Sequence, residues 1–412
     1  MKTRLRAGQR PAFAARTVLR NAFFQGTPMT SSIVRILCAF ALLPSLAFAT
    51  VPDLSAANFA STCATLPREA RVLKNNAERQ AFVICRDIET LQALVRFGKA
   101  SANFSQDPGE QRIFLKKLRA QLVDSRERLQ TVRRVLQQMK LQPGEGLLIQ
   151  PSQWQVDLDG DGKLDTWEKY AFAIPKRGHQ PLRLQAPSNS PEYYSTRYNL
   201  EAKIRVDQSD ILWTLAYHCF VEALLEIVLA YHFESPRSGD DWIVLYEPEG
   251  MRRAHGLLVS GFKTSESMRR SVLAETDDEH EWISNPKQMQ TVFPLPLDQQ
   301  DFAIWGQLMS HIIPLFEGKT VLAAGGDAGG PLGMVAKLCP PQHGLSVPTF
   351  FRNPPERPLK LVEKLDLSKM CQPVGKKTPA SGLFELLQAY ARRADQSERG
   401  AMFFLRHLLW VN

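Results

Sequence analysis

Two stretches near the start of the chain repeat their apolar residues at alternating spacings of three and four. The first covers residues 78–97 and the second covers residues 109–140, and both are otherwise mostly polar. This spacing places the apolar side chains along one helix face and is typical of helices that pack against each other. The polar segment 98–109 between them contains glycine and proline and is long enough to reverse the chain. The pattern therefore predicts an antiparallel helical hairpin within residues 50–146.

The rest of the chain alternates apolar helical segments with loops rich in proline. Helices are predicted, in order, over Asp207–Phe233, Glu249–Ser284 (one or two helices), Leu297–Phe316, Gly382–Ala394 and Glu398–Val411. The strand candidates are Trp242–Tyr246 and Thr320–Ala324. A stretch rich in proline and serine at 176–191 predicts a linker before a helical domain at 192–412. The predicted fold is mainly α, with a helical hairpin, a larger helical bundle and few short strands.

The first 49 residues have the pattern of a secretory signal peptide. They contain seven Lys and Arg and no Asp or Glu, followed by an apolar run at 36–43 and by Ala47-Phe48-Ala49. A basic start, a short apolar core and small residues at the end are the features of a cleavable signal. Cleavage is predicted after Ala49, and the product is predicted to be periplasmic or extracellular.

Removal of the signal peptide also removes most of the net charge. The whole chain carries +9, and seven of its 51 Lys and Arg lie in the first 49 residues, which leaves +2. This balance gives no reason to predict nucleic-acid binding. The apolar stretch 211–233 is interrupted by His218, Glu222 and Glu226, so it predicts a core helix and not a transmembrane span.

Five cysteines follow residue 49, and an oxidising compartment favours their pairing. Cys63 and Cys85 flank the first helical segment, whereas Cys339 and Cys371 flank a loop rich in proline. These two local pairs are predicted to form disulfides. Cys219 falls within the predicted core helix and is predicted to remain a buried free thiol.

Residues 157–168 read Asp-Leu-Asp-Gly-Asp-Gly-Lys-Leu-Asp-Thr-Trp-Glu. Carboxylate side chains stand at positions 1, 3, 5, 9 and 12 of this segment, with glycine at position 6 and an aliphatic residue at position 8. Calcium binds about six to eight oxygen ligands, and carboxylates suit it. Five carboxylates against one lysine also repel one another when no cation is bound. The segment therefore predicts a cation site.

The segment resembles the EF-hand family of calcium-binding loops at every one of these positions. The resemblance implies that Lys163 contributes its backbone carbonyl, that Asp165 acts through a water and that Glu168 closes the shell with both oxygens. The implied calcium ligands are Asp157, Asp159, Asp161, Lys163, Asp165 and Glu168. It also implies a positive φ at Gly162 and an inward-facing Leu164 that anchors the loop to the core.

The flanks of the loop differ from those of a full EF-hand. Two glycines and Pro151 precede it and argue against an entering helix, whereas the exit is predicted to be helical over 165–174. The sequence contains no second loop of this kind. Sensor EF-hands work as pairs, so the region 147–175 is predicted to hold a fixed, structural calcium ion.

Together these features predict calcium-ion binding by an exported, mainly helical protein without catalysis. The alternative is a periplasmic hydrolase that acts on cell-wall glycan and keeps a structural calcium site, with Glu234 as the candidate acid. A third hypothesis is calcium-regulated binding of a protein partner or a cell-envelope component, which requires a calcium-dependent change of shape.

Overall fold

The computed structural model describes residues 52–55, 57–101, 107–176, 191–233, 243–294, 297–323, 339–357 and 368–374, together with Leu383 and Leu386. These residues all belong to one compact unit. They form nine α-helices and four two-stranded sheets, which confirms the predicted mainly α fold. The predicted signal peptide and nearly all of the predicted linker lie outside the described residues.

The predicted hairpin helices are present and follow a short additional helix. They are α1 (Phe59–Thr65), α2 (Asn76–Ala100) and α3 (Pro108–Leu136). Asn75 and Asp107 begin the two long helices, because their side chains accept hydrogen bonds from N–H groups of the first turn. Helices α2 and α3 pack against each other, and α3 ends earlier than the predicted residue 140.

Short elements connect the hairpin to the larger bundle. In chain order these are β1 (Leu147–Ile149), α4 (Thr166–Lys169), β2 (Ile174–Pro175), α5 (Pro191–Arg197), β3 (Tyr198–Asn199) and β4 (Ile204–Val206). Strand β1 pairs with β4 and β2 pairs with β3, all antiparallel. The entering segment forms no α-helix, as predicted, and contains a single 3₁₀ turn at Pro151–Gln153. The predicted exit helix over 165–174 was wrong beyond its first turn, because the chain after α4 turns and pairs as a strand.

Three long helices form the larger bundle, and two of them end earlier than predicted. They are α6 (Gln208–Ala230), α7 (Pro248–Ala274) and α8 (Gln299–Phe316). Residues Tyr231–Phe233 leave α6 as strand β5 and pair with β6 (Ile243–Leu245), which lies within the predicted strand. Helix α7 ends before Glu275, which is extended, so the predicted helix to Ser284 was too long.

The last described elements are short. They are β7 (His343–Leu345), α9 (Val347–Arg352) and β8 (Cys371–Pro373), and β7 pairs with β8. Within the predicted strand 320–324, which is described as far as Ala323, Leu322 forms an isolated antiparallel bridge with Leu345. The predicted helix 382–394 is described only at its two leucines, which are helical, and the predicted helix 398–411 lies outside the described residues.

Both predicted disulfides are present, and the remaining thiol is buried. The Cα atoms of Cys63 and Cys85 are 5.4 Å apart, and those of Cys339 and Cys371 are 5.6 Å apart. The first disulfide joins α1 to α2 and the second joins the start of β8 to the segment before β7. Cys219 is free and buried within α6, as predicted.

Among the described residues, α6 is also the one helix whose length and composition would suit a membrane span. It carries polar side chains that are paired with the hairpin helices. Glu222 Oε2 accepts a hydrogen bond from Arg133 Nε at 2.6 Å, and His218 Nε2 lies 3.1 Å from Asp87 Oδ2. Glu222 and His218 are both buried. These contacts bind α6 to α2 and α3.

An apolar cluster supports the segment that leads into the acidic loop. Trp154, Val156 and Leu158 are buried in this cluster together with Ala81 and Ile88 of α2. The segment therefore lies against the hairpin. This packing fixes the position of the polar loop that follows the segment.

Candidate calcium site

The first three aspartates of the loop converge on one point. Single carboxylate oxygens of Asp157, Asp159 and Asp161 all lie within 4.8 Å of one another. Two oxygens that bind the same calcium ion at about 2.5 Å are at most about 5 Å apart. The spacing of these three oxygens thus fits a shared calcium ion.

Backbone hydrogen bonds to the same aspartates fold the loop. Asp157 accepts from the N–H of Gly160 at 2.5 Å through Oδ1 and from that of Gly162 at 2.9 Å through Oδ2. Asp159 Oδ1 accepts from the N–H of Asp161 at 3.1 Å. Gly160 and Gly162 have φ values of +78° and +80°, which glycine adopts without a steric penalty. The positive φ predicted for Gly162 is confirmed.

Glu168 closes the loop from its far end. Its side chain is fully buried, with 0% exposure. Oε1 accepts from the N–H of Leu158 at 2.7 Å and from that of Asp159 at 3.2 Å. Oε2 accepts from the N–H of Asp165 at 2.9 Å. Glu168 therefore ties the start of the loop to its end, and its carboxylate is not one of the three that converge.

Lys163 and Asp165 lie on the outer side of the loop. Both residues are exposed, and the N–H of Lys163 donates to Asp161 Oδ1 at 2.9 Å. Asp165 is the residue that precedes α4. Their implied roles, a backbone carbonyl ligand and a ligand through water, stay predictions.

The structure adds Lys99 to the site, at the end of helix α2. Its Nζ lies 2.6 Å from Asp159 Oδ2 and 3.3 Å from Asp161 Oδ2. The hydrogen bond to Asp159 raises the pKa of Lys99 above its ordinary value. The N–H of Lys163 and the ammonium of Lys99 lower the pKa of Asp161. Two of the loop carboxylates, those of Asp159 and Asp161, thus already pair with a cation from within the chain.

Two further side chains of α2 hold the loop against the hairpin. Gln92 Nε2 donates to the carbonyl oxygen of Asp157 at 2.8 Å. A Cβ atom added to Gly160 would lie only 2.5 Å from Arg96 Nε, so the glycine allows α2 to approach closely. Neither residue could be identified from the spacing of the loop, because both lie far from it in sequence.

The predicted orientation of Leu164 was wrong. Leu164 is 36% exposed, whereas Leu158 is 2% exposed and packs with the core beneath the loop. The loop is anchored instead through position 2 and through Trp167, which packs against the same cluster.

No protein-family model matches the chain, and comparisons with curated proteins and with solved structures find no similar protein.

Proposed function

We propose that the chain binds one calcium ion in the loop 157–168 and that the ion stabilises the fold of an exported protein. The observation that carries the proposal is the convergence of Asp157, Asp159 and Asp161 within 4.8 Å. Oxygen ligands at this spacing suit a hard cation of the size of calcium. Extracellular and periplasmic calcium would keep even a weak site of this kind occupied.

Several features favour a structural ion over a switch. The exit helix α4 is a single turn, and the entering segment is held in a two-stranded sheet. Glu168 already joins both ends of the loop through three N–H donors. The loop lies on α2 through Gln92 and Lys99. A calcium ion here would add a fixed link within a loop that already lies on α2. Among the described residues there is no second EF-hand helix pair that the ion could open.

Chelation of calcium tests this proposal. A native-state ligand stabilises by about 2.7 kcal/mol when its concentration is a hundred times its dissociation constant. We expect the purified protein to melt at a lower temperature in chelator than in millimolar calcium. The variant Asp161→Asn, which removes an exposed ligand of the loop, should show a smaller calcium-dependent rise in melting temperature than the wild type. A wild-type melting curve that calcium does not shift would contradict the proposal.

A second candidate function, hydrolysis of cell-wall glycan, is favoured by one observation. A cleft of about 560 Å³ is walled by Trp154, Trp213 and Trp282 and is also lined by Asp87 and Asp210. Ligand sites are commonly apolar clefts of this size with few polar groups. Glycosidases use two carboxyl groups beside the scissile bond, and aromatic faces suit sugar rings. Glu234, the acid candidate from the sequence, lies outside the described residues.

The segment after the calcium loop forms part of the same cleft, at residues 171–175. Calcium in the loop would therefore help to fix one wall. The hydrolase hypothesis expects release of soluble fragments from purified peptidoglycan and their loss in Asp87→Asn and Asp210→Asn. An intact, folded wild-type protein that releases nothing would contradict it and would leave calcium binding unaffected.

A further inference from the structure

A second group of carboxylates meets at the ends of helices α6 and α7, away from the loop 157–168. Asp207 directly precedes α6, Glu275 directly follows α7, and Glu281 lies in the segment after it. One oxygen from each of these three side chains lies within 4.8 Å of the others. Asp210, in the first turn of α6, is buried beside them. The residues are far apart in sequence, and the packing of α6 on α7 brings them together.

Glu281 is buried, at 6% exposure. Among the described residues, no side chain or backbone N–H forms a hydrogen bond or an ion pair with its carboxylate. The charge of Arg205 acts on this carboxylate and lowers its pKa, but by less than burial and the neighbouring acids raise it. Glu275 is only partly satisfied, because Oε1 accepts from the Ser209 hydroxyl while Oε2 is buried without a donor. Asp207 Oδ1 accepts from the N–H groups of Ser209 and Asp210 at 2.7 and 3.0 Å.

Burial of several acids without a cation is unfavourable for their charged forms. Burial raises the pKa of Glu275 to about 9 and that of Glu281 to about 8, and neighbouring carboxylates add to both shifts. It also raises the pKa of Asp207 and of Asp210. The group therefore needs either protons or a cation to compensate its charge. A proton shared between Asp207 and Glu275 would satisfy those two side chains but would leave Glu281 without a partner.

We propose that Asp207, Glu275 and Glu281 bind a second calcium ion, which joins the start of α6 to the end of α7. Three carboxylates and no sulfur or nitrogen ligand favour a hard divalent cation. Oxygens that lie within 4.8 Å of one another fit around one calcium ion, whose coordination diameter is about 5 Å. Calcium also tolerates irregular geometry, whereas magnesium demands a near-ideal octahedron. One ion would compensate all three carboxylates, and it would place a positive charge next to the unpaired oxygens of Glu275 and Glu281.

The test first removes calcium binding by the loop 157–168, so that the second site can be measured alone. In the variant Asp159→Asn/Asp161→Asn we expect calorimetric titration with calcium chloride to find one remaining ion per chain. Adding Glu281→Gln to this variant should remove that ion. Adding Glu279→Gln, an exposed acid two positions away, should leave it in place. Thermal melting of the wild type and these three variants, in chelator and in calcium, provides an independent reading.

The glutamine at position 281 is a neutral replacement of the same shape, so the protein is expected to fold without calcium at least as well as its parent. Should it fail to fold, Asp207→Asn replaces it, because asparagine also caps a helix. Retention of the ion in both variants would overturn the proposal. If the variant Asp159→Asn/Asp161→Asn binds no calcium, the proposal is also overturned, and a proton shared between the carboxylates remains as the explanation. If this variant binds as many calcium ions as the wild type, the result instead contradicts the loop site.

Discussion

Replacement of Glu168 by glutamine tests how the calcium loop is held. The change converts one oxygen of a fully buried carboxylate into an NH2 group. In the wild type both oxygens accept hydrogen bonds, Oε1 from Leu158 and Asp159 and Oε2 from Asp165. Whichever way the amide is turned, its NH2 group faces at least one backbone N–H, and an NH2 group cannot accept a hydrogen bond from it.

The expected cost of Glu168→Gln has two parts. Loss of one hydrogen bond to a charged acceptor costs about 1.5–3 kcal/mol, and the bonds that remain change from charged to neutral acceptors. We therefore expect the free energy of unfolding to fall by about 2–3 kcal/mol even without calcium. The gain from the calcium ion in the loop, about 2.7 kcal/mol at a hundred times its dissociation constant, should disappear as well.

Urea unfolding followed by circular dichroism, in chelator and in calcium, separates these two parts. The matched control is Asp161→Asn, whose side chain is 37% exposed and holds no buried N–H group. The control should unfold like the wild type in chelator and lose only the gain from calcium. If Glu168→Gln is as stable as the wild type in chelator, the loop is not held by Glu168. If it keeps the full gain from calcium, Glu168 is not a ligand.

Three further substitutions and a change of pH test the competition by Lys99, the packing of the loop and the protonation of the buried acids. Lys99→Met should lower the calcium dissociation constant in calorimetry, because the ammonium competes for the loop carboxylates, and an unchanged constant would show no competition. Leu158→Ala should cost about 2–5 kcal/mol in urea unfolding. Leu164→Ala should cost less than about 0.5 kcal/mol, and a reversed order would contradict the packing of the loop. Between about pH 5 and pH 9 the calcium-free protein should lose thermal stability as pH rises, because Glu275 and Glu281 have pKa values raised to about 9 and about 8 and keep their protons only when folded. A stability that rises over this range would contradict those shifts.

Local patterns allowed much of the fold to be predicted. Apolar spacing located α2, α3 and α8, and a long apolar stretch located α6; each of these helices begins at a polar cap. The order of oxygen ligands located the loop, and the nearest cysteines in sequence form the two disulfides. These features depend on residues that are close together in the chain, so they can be predicted from the sequence alone.

The errors arose where distant contacts decided the result. The chain after Lys169 has helical spacing, but pairing with β3 makes it a strand. Leu164 is exposed and Leu158 is buried, so Leu158 anchors the loop to the core. Lys99 joins the site from the end of a helix that no local pattern connects to the loop. The carboxylates at the ends of α6 and α7 are likewise brought together only by helix packing.

The central claim is that calcium binds the loop 157–168, and calorimetric titration of chelator-treated protein with calcium tests it most directly. We expect the wild type to bind one calcium ion more than the variant Asp159→Asn/Asp161→Asn, with a heat of association that the variant lacks. Equal stoichiometry and equal heats in the two proteins would contradict the claim.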